Sequence, residues 1–386
     1  MKNYFLSKIN SLKSQNLYRK LVNTDFMGDV VVKRDGKKLV CFSSNDYFSL
    51  ANNFFVKLAA LWALLRFGAS ARASRYVCGN NSLYEKLESK IAQIKNCEEA
   101  IVFSSGYQAA IGIIPALVGE GDLVVADKLI HSSLLDGVKL SGAKLIRFAH
   151  NDASHLRKIL LNNTKEYQKI LIITEEIFSM DGDKADLLAL QEISAEFSAM
   201  LLVDGAHSLY DAVGAHCMRP SSSMQGCVTG ACNAPLRIYM GTFSKAVGSL
   251  GGYVAADKIT IDYLRNFAKS SIYTTALPPS VLAASLKSLQ IISKKNLAAK
   301  TLENVRYFCE LMNLPKSQSA IVVIIINDNE KVLEIAKKVA EKGFLIAAIR
   351  PPTVLSARLR ITFCAKHKKS QIFKLAKILQ EFNAEK

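Results

Sequence analysis

Between about Ala51 and Ala283 short apolar runs alternate with longer amphipathic segments, and this rhythm constrains the fold more than any other property of the chain. The runs are Ala100–Phe103, Leu123–Val125, Lys144–Arg147, Ile170–Ile173, Ala199–Val203 and Ile238–Met240. Each has the length of a strand rather than a helix, and most are followed by a helix-like stretch. Strand and helix in that order predict an α/β fold, with a sheet covered by helices on both faces.

Pro278-Pro279 closes this region and opens a predicted helix from Ser280 to Lys295. Beyond it, Ala320–Ile326 and Arg358–Phe363 read as strands and Glu330–Lys342 as a helix, the makings of a smaller C-terminal α/β domain. The chain starts with a predicted helix over 5–21 and a strand pair at 30–32 and 38–40. The expected division is an N-terminal arm (1–45), a large domain (46–283) and a small domain (284–386), with no internal repeats. At 386 residues, half of them hydrophobic and 22% charged, the chain can bury a substantial core.

Composition also excludes partners. No apolar run approaches the roughly 18 residues that span a bilayer. The longest, Leu58–Leu65, is closed by Lys57 and Arg66 and is expected as a buried helix. The first residues lack a signal-peptide core, so a cytoplasmic protein without membrane attachment is expected. The eight cysteines are scattered with no CxxC pair, which predicts reduced thiols and no metal site. A net charge of +17 invites a nucleic-acid partner, yet the lysines are dispersed and no groove-reading module accompanies them. The expectation is no nucleic-acid partner; a non-catalytic homologue with a basic binding surface is the rival reading.

Lys245 closes Gly241-Thr242-Phe243-Ser244-Lys245, between an apolar strand and a loop punctuated by Gly248, Gly251 and Gly252. Such a place suits an amine that attacks a carbonyl, because only a neutral lysine is a nucleophile. Leu201–Asp204 is an apolar run that delivers a carboxylate at its end, with His207 three residues on. Ligands collect outside the carboxyl ends of strands in open α/β sheets, and a carboxylate there can pair with a pyridinium nitrogen. Ser105-Gly106-Tyr107 joins a strand to a helix and offers a phosphate seat, or only an ordinary turn. Tyr107 could cover a ring or merely pack. His131 follows another strand and could stack on a ring, while Ser179 and the pair Thr274-Thr275 offer hydroxyls.

Asn45-Asp46-Tyr47, Ser105-Gly106-Tyr107, Asp127–His131, Phe148–Asp152, Phe178–Asp183, Asp204–His207 and Gly241–Lys245 together resemble the α-oxoamine synthases, in the same order along nearly the whole chain. The resemblance implies a pyridoxal-phosphate-dependent transferase of the aspartate-aminotransferase-like fold type I. It carries a large, mostly parallel seven-stranded sheet and works as a homodimer whose active site lies at the subunit interface. It further implies that Lys245 holds the cofactor as an imine and later acts as base, and that Asp204 faces the pyridine nitrogen. His207 and Ser179 would contact the phenolic oxygen, and His131 would stack on the ring and meet the substrate. Gly106, Tyr107 and Thr242 would lie at the phosphate, with Thr274 or Thr275 supplied by the partner subunit. Arg19, Asn45, Arg350 and Thr353 would bind substrate. Within the family, Ala348–Val354 is most similar to the branch that condenses L-alanine with a pimeloyl thioester, carried on CoA or acyl carrier protein, in biotin synthesis; glycine-using sisters are the alternative. The chain departs from the family at Gly205, where a second acidic residue is usual, at Gly68–Ser74, and in the Ser-, Cys- and Met-rich stretch Leu209–Ala234.

Overall fold

The computed structural model describes residues 1–164, 166–208 and 236–384, so the stretch Leu209–Ala234 lies outside the described residues. The chain divides into two compact units, one of residues 1–49, 180–182 and 299–386, the other of residues 50–179 and 183–298.

In the first unit, α1 (Lys2–Ser14) precedes β1 (Thr24–Phe26), β2 (Val31–Arg34) and β3 (Lys37–Cys41). The helix is shorter than its apolar pattern suggests, because Asn16 takes a left-handed φ of 56° and its amide bonds back to Lys13.

The second unit runs from α2 (Phe54–Phe67) and α3 (Ser82–Lys95) through β4 (Glu99–Phe103), α4 (Gly106–Leu117), β5 (Leu123–Asp127), α5 (Ser132–Ser141), β6 (Lys144–Phe148) and α6 (Ala153–Asn163). It continues with β7 (Ile170–Glu175), α7 (Leu187–Glu196), β8 (Met200–Asp204), β9 (Arg237–Thr242) and β10 (Gly252–Ala256). Helices α8 (Lys258–Phe267), α9 (Lys269–Ile272) and α10 (Pro279–Ile292) complete it. The seven strands lie in the order β4-β10-β9-β8-β7-β5-β6. Only β10 opposes its neighbours. Every residue of β5, β7 and β10 is buried, as a sheet covered on both faces requires.

The strand β10 is where the sequence misleads. Gly248, Gly251 and Gly252 read as one loop, but Gly252 already belongs to the sheet. A Cβ there would come within 2.5 Å of the Ser105 carbonyl oxygen, so glycine marks a close approach of backbones. Local capping sets most helix starts: Asn53, Asn81, Ser105, Asp152, Asp186 and Asp257 each accept amides of the first turn. The expectation of a buried helix at Leu58–Leu65 is half right. Helix α2 forms and packs on α10, but within one chain it buries only Val56 and Ala63, and Trp62 and Leu65 remain exposed. Its surface is apolar all round, so one neighbour cannot cover it.

The first unit resumes within α11 (Leu297–Met312) and continues with β11 (Ile321–Ile325), α12 (Asn329–Glu341), β12 (Phe344–Leu345), β13 (Ala347–Ile349), β14 (Arg358–Thr362) and α13 (Lys369–Ala384). Strands β11, β14 and β13 form one sheet, and β12 joins β1–β3 in another. Phe42, Phe308, Phe344 and Phe363 centre its core. No described helix is long and apolar enough to cross a membrane.

Candidate active site

Four parallel strands of the larger unit end on chemistry-bearing side chains: Asp127 on β5, Glu175 on β7, Asp204 on β8 and Thr242 on β9. Strand register sets Glu175 beside Asp204 and Asp204 beside Met240. A cavity of ≈ 230 Å³ opens at these ends. Its walls include Gly106, His131, Glu175, Asp204, His207 and Lys245.

Lys245 Nζ lies 2.7 Å from His207 Nε2. Asp204 is buried, and its Oδ1 accepts the Ala206 amide at 2.8 Å. Burial pushes the Asp204 carboxyl above the usual carboxylate range, against the pull of Lys245 and of that amide. Thr242 Oγ1 donates to the Gly251 carbonyl at 2.7 Å and accepts the Ser244 amide at 3.1 Å. Gly106 begins α4, with Ser105 as its cap. A Cβ on Gly106 would touch Thr242 at 3.4 Å, so the helix N-terminus and the end of β9 share one corner of the cavity.

His131 caps α5: its Nδ1 lies 2.8 Å from Ser133 Oγ and accepts the Ser133 amide at 3.2 Å. Burial, then the nearby Lys245 charge, lowers its pKa and keeps the ring neutral, as suits a flat stacking surface. Tyr107 also lines the cavity, with its phenol donating to Asp136 Oδ2 at 2.5 Å. Ser179 is buried, four residues past Glu175, and donates its amide to Glu175 Oε2 at 3.2 Å. Thr274 is half-buried and Thr275 exposed; neither lines this cavity.

Glu175 is the site residue that sequence reasoning passes over. It carries the same signal as Asp204, a carboxylate at the end of an apolar run, but the adjacent Glu176 makes the pair look like a solvated turn. Its Oε2 accepts the backbone amide of Ser179 at 3.2 Å, so this side chain anchors one of the loops that flank the cavity. Its Oε1 is buried and meets no hydrogen-bond partner among the described residues. Burial first, then the Asp204 charge, raises its pKa well above the ordinary value.

The departure at Gly205 has a physical cause. A Cβ there would fall 2.0 Å from the Tyr239 phenol oxygen, and that phenol donates to Glu176. An aromatic ring thus occupies the space a second acidic side chain would need, and Glu176, just past the end of β7, brings a carboxylate to the same corner.

The predicted substrate residues lie in the smaller unit. Arg19 donates to Thr353 Oγ1 at 2.9 Å, and Arg350 donates to the Asn16 carbonyl. Burial, then the Arg19 charge, lowers the pKa of Arg350. Asn45 forms a separate group: its Oδ1 accepts from Arg360 at 3.3 Å and from the Tyr47 phenol at 3.2 Å. Arg360, buried between these partners, was not singled out from sequence.

The family model for class I and II aminotransferases matches residues 37–379. An 8-amino-7-oxononanoate synthase of Methylobacterium nodulans is 41% identical over 98% of this chain and 96% of its own length. One from Methylorubrum extorquens is 42% identical over 98% and 95%. Among solved structures, a point variant of serine palmitoyltransferase from S. paucimobilis with a bound PLP–myriocin aldimine superposes with a TM-score of 0.87 at 26% identity, covering 98% of this chain and 96% of that one. The 8-amino-7-oxononanoate synthase of Francisella tularensis gives a TM-score of 0.73 at 28% identity, over 90% and 98%. With a fold-type-I sheet, a lysine, imidazole and carboxylate gathered at its strand ends, and relatives of this closeness, the chain belongs to the class I and II aminotransferase family and, within it, stands with the pyridoxal-phosphate-dependent 8-amino-7-oxononanoate synthases.

Proposed function

We propose that the protein condenses L-alanine with a pimeloyl thioester, releasing CO2 and the thiol carrier, to give 8-amino-7-oxononanoate. The observation that carries this reading is the convergence of Lys245, His207, Asp204 and His131 on one cavity at the strand ends. The cavity suits pyridoxal phosphate: a buried carboxylate, an orphaned buried Glu175 oxygen and a helix N-terminus each call for a polar ligand. Bound there, the cofactor supplies an aldehyde carbon that captures an amine and a protonated ring that takes up the electron pair left at the amino acid's Cα.

The residues would divide the remaining work. Asp204 would keep the ring nitrogen protonated, its own buried charge being stabilised by that partner. The amides at Gly106 and Tyr107 with the Thr242 hydroxyl would hold the phosphate, aided by the α4 dipole. Ser179 and His207 would hold the phenolic oxygen. His131 would stack over the ring and exclude water from that face. Lys245, displaced by the incoming amine, would take the Cα proton, and His207 at 2.7 Å gives its ammonium a neighbour to which a proton can pass. Arg19, Asn45, Arg350 and Thr353 would contact the acyl substrate. The working form would be a homodimer in the cytoplasm, with Thr274 or Thr275 serving the partner's phosphate site.

The test offers alanine and glycine separately with pimeloyl-CoA or pimeloyl-acyl carrier protein. Carbon dioxide release with alanine is expected, and a response to glycine alone rejects the assignment. Lys245→Ala should lose the yellow cofactor band and lower turnover by at least about 10³-fold, as loss of a nucleophile and base requires.

A further inference from the structure

His150 belongs to the Phe148–Asp152 segment, to which the proposed chemistry gives no task. Its ring is held at both nitrogens by carboxylates. Nδ1 lies 3.0 and 3.2 Å from the two oxygens of Asp127, and Nε2 lies 2.8 Å from Asp183 Oδ2. The ring stands perpendicular to Phe178, with the ring centroids 4.4 Å apart and the planes at 89°. Neutral imidazole carries a single N–H and can donate to one carboxylate only, so donating to both requires the imidazolium. Burial alone would lower the His150 pKa, but the bonds to Asp127 and Asp183 outweigh it and push it up to about 10.

Each carboxylate also organises a loop that ends on a site residue. Asp127, fully buried, accepts the Leu129 amide at 2.8 Å and the Asn151 amide at 2.9 Å, fixing the start of the segment that reaches His131. The carbonyl of Asp183 accepts the Phe178 amide at 3.0 Å and closes the turn that carries Ser179, while its carboxylate takes the Asn151 side chain at 2.7 Å.

We propose that His150, held as an imidazolium between Asp127 and Asp183, is a positioning residue that sets where His131 and Ser179 stand in the cavity. The importance of those two residues rests on the cofactor reading above; the bridge itself does not. The ionisable groups facing the ring are Asp127, at the end of β5, and Asp183, after the Ser179 turn. The charge therefore persists through neutral pH and is lost only on strong alkalinisation.

The experiment uses the full-length 15N-labelled protein, with His150 assigned by comparison with His150→Gln. Both ring nitrogens should carry protons at pH 7 and titrate near pH 10. In folded His150→Gln the titration midpoint of His131 should move by at least about 0.5 pH unit. The dissociation constant for pyridoxal phosphate, read by fluorescence quenching, should rise roughly tenfold. A singly protonated His150 ring at pH 7 overturns the proposal. So does a folded variant with unchanged His131 titration and cofactor affinity, which would make the bridge only a structural tie. If His150→Gln does not fold, Asp183→Asn, which breaks one end only, is read in the same two ways. Failure of the wild type to take up cofactor overturns the functional reading alone, because the ring nitrogens and the His131 titration still report the bridge.

Discussion

Glu175 shows how much one side chain can be asked to do. Its carboxyl anchors the amide of Ser179, yet it is buried beside Asp204, and its pKa is raised accordingly. A group whose folded pKa lies above its unfolded value contributes stability at low pH and loses it as pH rises. Cofactor-stripped protein should therefore weaken as pH climbs past the normal glutamate range. Glu175→Gln keeps an acceptor for the Ser179 amide and removes the ionisation. Its Tm at pH 8 should exceed the wild type's by roughly 2–4 °C, equivalent to about 1 kcal/mol in a unit of this size, with little difference at pH 4. Thermal scans at the two pH values check this, and a variant less stable at both refutes it. Legibility at this scale follows chemistry: Lys245, Asp204 and His207 could be read from sequence because strand, charge and loop follow one another. Glu175 could not, because its burial depends on the parallel neighbour β8, which a linear reading does not bring beside β7.

Elements carry a different kind of information. The strands of the main sheet were legible because their apolar runs have no polar face to hide; β10 was not, because two glycines needed for close packing imitate a loop. In the smaller unit, His367 stacks on Phe42 at 3.9 Å, donates from Nε2 to the Cys41 carbonyl at 3.0 Å and accepts the Cys364 amide at Nδ1, also at 3.0 Å. This geometry ties the end of β3 to the segment after β14 and demands a neutral ring. Burial lowers the His367 pKa to about 4 from 6.5. Because the folded pKa is depressed, this tie is intact above pH 6.5 and costs stability as pH falls towards 4. Urea midpoints should decline across that window, and His367→Gln, which cannot titrate, should flatten the decline. A slope unchanged by the substitution would assign the acid sensitivity elsewhere.

At the scale of the whole molecule, the apolar side chains left outside on α2 outweigh any local feature. Phe54, Trp62 and Leu65 are 67%, 52% and 78% exposed on a single chain. Burying a side chain of this kind contributes about 1.5–3 kcal/mol, so several on one helix favour a partner that covers them, and the proposed homodimer is the cover expected here. Trp62→Asp combined with Leu65→Asp should yield monomers in sedimentation velocity. It should also lower activity, as expected if Thr274 or Thr275 completes the partner's site; a fully active monomer would remove that role. Sequence marked this helix as buried because apolarity does not say whether its cover comes from the same chain.

The division of the chain adds a constraint in time. The larger unit is drawn almost entirely from residues 50–298, whereas the smaller one joins residues 1–49 to residues 299–386. On a ribosome adding roughly 5–20 residues per second, the first strands β1–β3 wait on the order of ten seconds while the larger unit is made. Only then do β12 and the helices of their own core emerge. During that interval Phe42 and its neighbours are without the partners that bury them. Exposure of apolar surface around Phe42 thus falls on a segment made well before the partners that cover it.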